Sequence, residues 1–116
     1  MVKNAYIIPG LPSKDLELLV KMSSLPDIIS VIDVICENFE VDADHIFSRK
    51  RSGNIPLARH LAIFIIREKF RIKTEPLGEM FDGRDHTSVL YSCKTVKNLW
   101  DSDKQFRYLV IKVLTT

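Results

Sequence analysis

The chain has 116 residues, 46% of them hydrophobic, with 17 Lys and Arg against 15 Asp and Glu for a formal net charge of +2, which fits one domain with one sizeable core. Its longest apolar run, Leu61 to Ile66, is far too short to span a bilayer. Met1-Val2-Lys3-Asn4 also lacks the apolar stretch of a signal peptide, so a soluble, cytoplasmic protein with no membrane contact is expected.

Residues 1–26 contain Pro9, Gly10, Pro12, Ser13, Ser23, Ser24 and Pro26, with one short amphipathic stretch, Asp15 to Met22, between the breakers; they read as an N-terminal arm or linker. From residue 27 to 116 the pattern is a run of helices forming one domain. Asp27 to Phe39 places Ile28, Ile29, Ile32, Ile35 and Phe39 at helical spacing, and Asp42 can cap a short helix carrying Ile46 and Phe47. Ser48 to Asn54 is a basic loop. Asn54 can cap a long helix to about Phe70, with Pro56 in its first turn, where a missing N–H costs nothing, and with Leu57, Leu61, Phe64 and Ile65 on its inner face. Thr74 opens a short helix with Leu77, Met80 and Phe81 as its packing side, and Asp82-Gly83 ends it.

Asp85 is a good N-cap for the next helix, because its carboxylate can accept from the free N–H groups of the first turn and suits the positive end of the helix dipole. Val89, Cys93, Val96 and Trp100 then recur at spacings of four, three and four, a buried stripe that leaves His86, Thr87, Tyr91, Lys94 and Asn98 nearer the other face. Asp103 to Leu114 closes the chain as a helix with Phe106, Leu109, Val110 and Val113 inward. No segment alternates well enough for a strand, so the expected class is all-α with five or six helices. A helix of about two turns, a glycine-containing connection and a second helix with a polar start is the layout of a helix-turn-helix, whose second member enters the major groove by its N-terminal residues.

The charge is segregated along the chain. Residues 1–47 hold three Lys and Arg against eight Asp and Glu, residues 48–73 hold eight against one, and residues 74–116 hold six of each. A central field of this sign attracts a polyanion, the sequence-independent part of nucleic-acid binding, although a merely solvated basic face would show the same pattern. Cys36 and Cys93 are two cysteines in apolar helical patterns without Cys-x-x-Cys or paired-histidine spacing; both read as small core residues, and neither a disulfide framework nor a metal site is expected. His86 and Cys93, seven apart on one helix, lie about 10 Å apart along its axis, too far for a nucleophile and its base to share a proton, so no enzyme is expected.

Residues from about Asp27 to the end resemble the C-terminal DNA-binding domain of the bacterial replication initiator DnaA, a TrpR-like helix-turn-helix. The resemblance is carried by Phe47-Ser48-Arg49-Lys50-Arg51-Ser52, by Ala58-Arg59, and above all by Phe81-Asp82-Gly83-Arg84-Asp85-His86-Thr87-Ser88-Val89-Leu90. It implies an all-helical domain that binds double-stranded DNA at the short element called the DnaA box, in replication initiation or its regulation, with a cytoplasmic, nucleoid-associated location. Arg51 matches the basic-loop arginine that enters the minor groove, Arg59 an arginine near a helix start that contacts the duplex, and Asp85, His86, Thr87 and Ser88 the recognition turn. An arginine suits the narrow, negative minor groove of A·T-rich DNA, Asp85 can accept from a cytosine amino group, and the Thr87 methyl can meet thymine. The expected DNA-binding set is Arg49, Lys50, Arg51, Arg59, His60, Arg84, Asp85, His86, Thr87, Ser88, Tyr91 and Lys94.

The sequence departs from the family at several positions. Gly53 stands where a second basic loop residue is frequent, Asp82 where glycine is common, Ser88 for threonine and Tyr91 for histidine, while Pro76 is displaced by one; altered preference or weaker binding follows from the lost contacts. No Gly-x-x-x-x-Gly-Lys-Ser/Thr occurs, so no nucleotide and no cofactor is expected, and the chain reads as a DNA-binding domain without the initiator's ATPase module. A second expected partner is the initiator itself or another protein, engaged by the arm through Tyr6-Ile7-Ile8-Pro9-Gly10. The alternative reading is a protein-interaction module or transcription regulator that kept the fold and changed its target.

Overall fold

A computed structural model describes residues 13–116, so Tyr6-Ile7-Ile8-Pro9-Gly10 lies outside the described residues. Seven helices and no strand occur among those residues: α1 (Ser13–Met22), α2 (Ile28–Phe39), α3 (Ala43–Ile46), α4 (Ile55–Phe70), α5 (Thr74–Met80), α6 (His86–Ser102) and α7 (Lys104–Leu114). The six helices expected of the domain are α2 to α7, and the amphipathic stretch of the lead-in is α1.

Local chemistry starts three of them as the sequence implies. Asp27, Asp85 and Asp103 sit at N-caps in extended backbone and accept from the N–H of Ser30, Ser88 and Phe106 at 2.8, 2.8 and 3.0 Å, each satisfying an amide the helix cannot. Asp42 and Asn54 occupy the cap positions of α3 and α4 without a capping bond. The Asn54 amide donates to the Phe39 carbonyl at 3.2 Å, joining the α4 start to the α2 end.

α4 is the central helix, with α2, α6, α1, α3 and α5 all packed on it. Leu61, Ala62, Ile63, Phe64, Ile65 and Ile66 are all fully buried, so this middle stretch of the helix is apolar all round rather than on one face, as suits a segment surrounded by others. The expected inner face was therefore too narrow, and Leu57, assigned to it, is only half-buried. One side of α4 is covered by α1, whose Leu16 and Val20, four apart, are fully buried against α4 and α6; Glu17 also pairs with Lys97 of α6 at 2.8 Å. Residues of the lead-in thus contribute to the common core.

Three further inward assignments are corrected. Ile29 is 73% exposed, because it shares a stripe of α2 with exposed Asp33 and Glu37 at i+4 and i+8, and Val31 is buried instead. Leu109 is only half-buried beside buried Phe106, Val110 and Val113, and Cys36 is half-buried whereas Cys93 is buried. Desolvation pushes both thiols up from their ordinary pKa. Buried Arg107 braces the end of α6, its Nε donating to the Trp100 carbonyl at 2.7 Å and its guanidinium lying 4.9 Å from the Trp100 ring centroid.

The α5–α6 pair forms a helix-turn-helix, and Gly78 allows its tight join. The Arg84 amide donates to the Gly78 carbonyl at 2.9 Å, and a Cβ built on Gly78 would land on the Arg84 carbonyl. Asp82 and Gly83 turn the chain in left-handed backbone, at φ 67° and 69°. Buried Phe81 packs on Phe47 with ring centroids 5.1 Å apart, which sets the turn beside the basic loop.

Candidate nucleic-acid interface

The first turn of α6 is anchored from below and open above. Val89, Cys93, Val96 and Trp100 are buried on one stripe, with Ser92 beside them. Asp85, His86 and Thr87 are exposed, Ser88 is half-buried, Lys94 is exposed and Tyr91 is 64% exposed. Hydrogen bonds from the Ser88 amide and then its hydroxyl hold the Asp85 carboxyl below the usual carboxylate range, so it is ionised near neutral pH. A fixed acceptor, an imidazole and a hydroxyl with its methyl are thereby presented where no core contact requires them.

The basic loop is shaped by its own short-range bonds. Ser48 Oγ donates to the His45 carbonyl at 2.9 Å and accepts from the Lys50 amide at 3.1 Å, leaving Arg49, Lys50 and Arg51 exposed. Beneath it lies Arg59, only 3% exposed. Its Nε donates to the Ile46 carbonyl at 2.8 Å and its Nη2 to the His45 carbonyl at 2.7 Å. A side chain expected on the surface is thus largely engaged inside the protein, where it ties α4 to the segment that carries the loop. Burial, and then the charges of Arg84 and Arg51, lower its pKa.

Loop, α4 and α6 converge on a cleft of about 380 Å³ lined by Arg49, Arg51, Arg59, Arg84, His60 and Tyr91, with Ser88, Ser92 and Pro56 between them. His60 Nδ1 is 2.8 Å from Ser92 Oγ, a bond across 32 residues that joins α4 to α6; its ring stands edge-on to Tyr91 at 5.9 Å. Burial first, and Arg59 and Arg84 after it, lower the His60 pKa, which favours the neutral ring. Arg84 is half-buried, and its Nε is buried with no hydrogen-bond partner. Burial and then the Arg49 charge lower its pKa. An arginine cannot shed its proton near neutral pH, so Arg84 keeps its positive charge beside the cleft.

Asp85 and His86 line a neighbouring hollow with Arg84, Glu75, Pro76, Glu79 and Gly83, whereas Lys50, Thr87 and Lys94 line neither depression. Ser92 and Asp82 were not in the expected set: Ser92 reads in sequence as one more residue beside the apolar stripe, and Asp82 as a turn residue. Among the described residues no group of three His, Cys, Asp or Glu side chains is placed to hold a metal ion, and no helix is long and apolar enough to cross a membrane.

Comparison with known proteins bears on this geometry. The family model described as the bacterial dnaA protein helix-turn-helix matches residues 28–96, from α2 through most of α6. The chromosomal replication initiator protein DnaA of Synechococcus sp. (strain JA-2-3B'a(2-13)) is 34% identical, over 95% of this chain and 25% of that protein. Its counterpart in Crocosphaera subtropica is 33% identical over 77% of this chain and 20% of its own length, and that of Thermus thermophilus 31% identical over 72% and 19%. The chain spans about a quarter or less of the length of these relatives. With a glycine-joined helix pair, an exposed and capped second-helix start, and a family match that covers both, the chain belongs to the bacterial DnaA helix-turn-helix family.

Proposed function

We propose that this chain binds double-stranded DNA, with the first turn of α6 in the major groove and the basic loop over the phosphates and an adjacent minor groove. The observation that carries the reading is the cleft lined by Arg49, Arg51, Arg59 and Arg84 beside the exposed α6 start. A phosphate oxygen is an acceptor of the right charge for such a cluster of guanidinium groups. Lys50 and Arg51 supply the sequence-independent grip, while Asp85, His86 and Thr87 address base edges. Arg59, Ser92 and His60 hold loop and helix in mutual register. The relatives are named as replication initiators, so the process served is replication initiation or its regulation, at DnaA-box-like sites in the nucleoid. The part played is binding rather than nucleotide hydrolysis, since the phosphate-cradling Gly-x-x-x-x-Gly-Lys-Ser/Thr pattern is absent from this sequence.

Fluorescence titration of a labelled duplex carrying a DnaA box, against the same duplex with the box scrambled, tests this reading. Binding should favour the box by on the order of a thousandfold or more, the lower end for sequence-specific DNA binders. Equal affinity for both duplexes would remove the sequence-reading role of α6, and no affinity for either would remove DNA binding altogether.

A further inference from the structure

Asp82 occupies the turn between α5 and α6 at φ 67°, a left-handed backbone that glycine adopts freely and that Asp tolerates better than most side chains. Its Oδ2 accepts from Arg49 Nε at 2.7 Å, and its backbone carbonyl accepts from Arg49 Nη2 at 3.0 Å. One residue thus grips an arginine of the basic loop at two points, across 33 positions of sequence. The two side chains are 66% and 49% exposed, and so open a pair contributes little to stability. Its effect lies in where charge is placed: the Asp82 carboxylate also acts on Arg59 and Arg84, so it is a counter-charge set among the arginines of the cleft.

We propose that Asp82 is an internal stand-in for a DNA phosphate, which occupies Arg49, withdraws it from the cations that grip the DNA backbone and ties the basic loop to the helix-turn-helix. Arg49 is then a positioning residue, and the protein binds every duplex less tightly than its arginine count alone would give. This rests on the duplex-binding reading above. Because backbone contacts carry no sequence information, releasing Arg49 strengthens binding to all duplexes by one factor and leaves discrimination between them in place.

The test is a double-mutant cycle read as the slope of log affinity against log salt on random-sequence duplex. Asp82→Asn keeps a residue tolerant of left-handed backbone and removes the charge; it should steepen the slope by about 0.9, one further phosphate, and tighten binding roughly eightfold near 0.1 M salt. Asp82→Gly should do the same. The slope should not move when Asp82→Asn is made in an Arg49→Ala background, nor with Glu37→Gln, an equal change of net charge on exposed α2. Thermal unfolding of each variant confirms that folded proteins are compared. An unmoved slope in Asp82→Asn, or the same steepening without Arg49, overturns the role of Asp82 while leaving DNA binding in place. If neither the unaltered protein nor Asp82→Asn binds any duplex, the DNA reading fails and this inference with it.

Discussion

Replacing Arg59 by Met separates a buried brace from a surface contact. Met preserves most of the apolar stem and removes the guanidinium, so the His45 and Ile46 carbonyls lose the donors now at 2.7 and 2.8 Å. A hydrogen bond to a charged group contributes about 1.5–3 kcal/mol, so two sum to about 3–6 kcal/mol. The desolvation that Arg59 no longer suffers offsets part of this, leaving a net loss of about 2–4 kcal/mol. Against an expected total of about 5–15 kcal/mol, the variant still folds. Urea unfolding followed by the fluorescence of Trp100, the only tryptophan and fully buried, reads the loss directly. Arg59→Lys sharpens the comparison, because lysine keeps the charge but cannot reproduce the two-pronged geometry. It should lose nearly as much stability as Arg59→Met. If both variants unfolded within about 1 kcal/mol of the parent while only Arg59→Met lost affinity for duplex, Arg59 would be a phosphate contact and its bracing role would be wrong.

Gly78→Ala should cost about 2 kcal/mol or more by the same unfolding assay, since the added methyl meets the backbone carbonyl of Arg84 and overpacking of this kind typically costs about 1–3 kcal/mol; a neutral effect would show that the helix pair has slack. The lowered pKa of His60 means that the folded protein binds its proton less tightly than the unfolded chain does. The associated stability is therefore complete above the unfolded value, about 6.5, and is lost as pH falls through that value toward the lower folded one. His60→Gln should flatten the dependence of stability on pH as pH falls below the unfolded value, and an unchanged dependence would assign it elsewhere. Lys50→Ala should weaken binding to every duplex alike and make the salt slope shallower by about 0.9, whereas His86→Ala or Thr87→Ala should cost about 1–3 kcal/mol on the preferred site and little on random duplex. Equal losses on both duplexes for all three would make α6 a backbone clamp.

What the sequence made legible was what its neighbours settle. Asp27, Asp85 and Asp103 cap amides three residues ahead, and the Val89-Cys93-Val96-Trp100 stripe follows from helical period alone. The helix-turn-helix and its polar start followed from the same rules. The bonds that shape the site span the chain instead. Arg59 reaches carbonyls 13 and 14 residues back, His60 meets Ser92 at a separation of 32, and Arg49 meets Asp82 at 33. Nothing local distinguishes an arginine that faces solvent from one that holds two carbonyls, so the bracing of the loop segment by Arg59 could not be read from the sequence. Asn54 read as a cap for the same reason, although its partner, Phe39, is 15 residues away. The breadth of the α4 core depends on α1 lying against it, a packing that the prolines and serines around Asp15 to Met22 gave no cause to expect.

Amide chemical-shift mapping during titration with a duplex carrying a DnaA box tests most directly whether the loop and the α6 start form the DNA face. Saturable shifts are expected in residues 48–52 and 83–88, with those of α1 and the exposed stripe of α2 around Ile29 and Asp33 staying in place. Shifts centred on α1 and α2, with Arg84 to Ser88 unmoved at saturation, would contradict it.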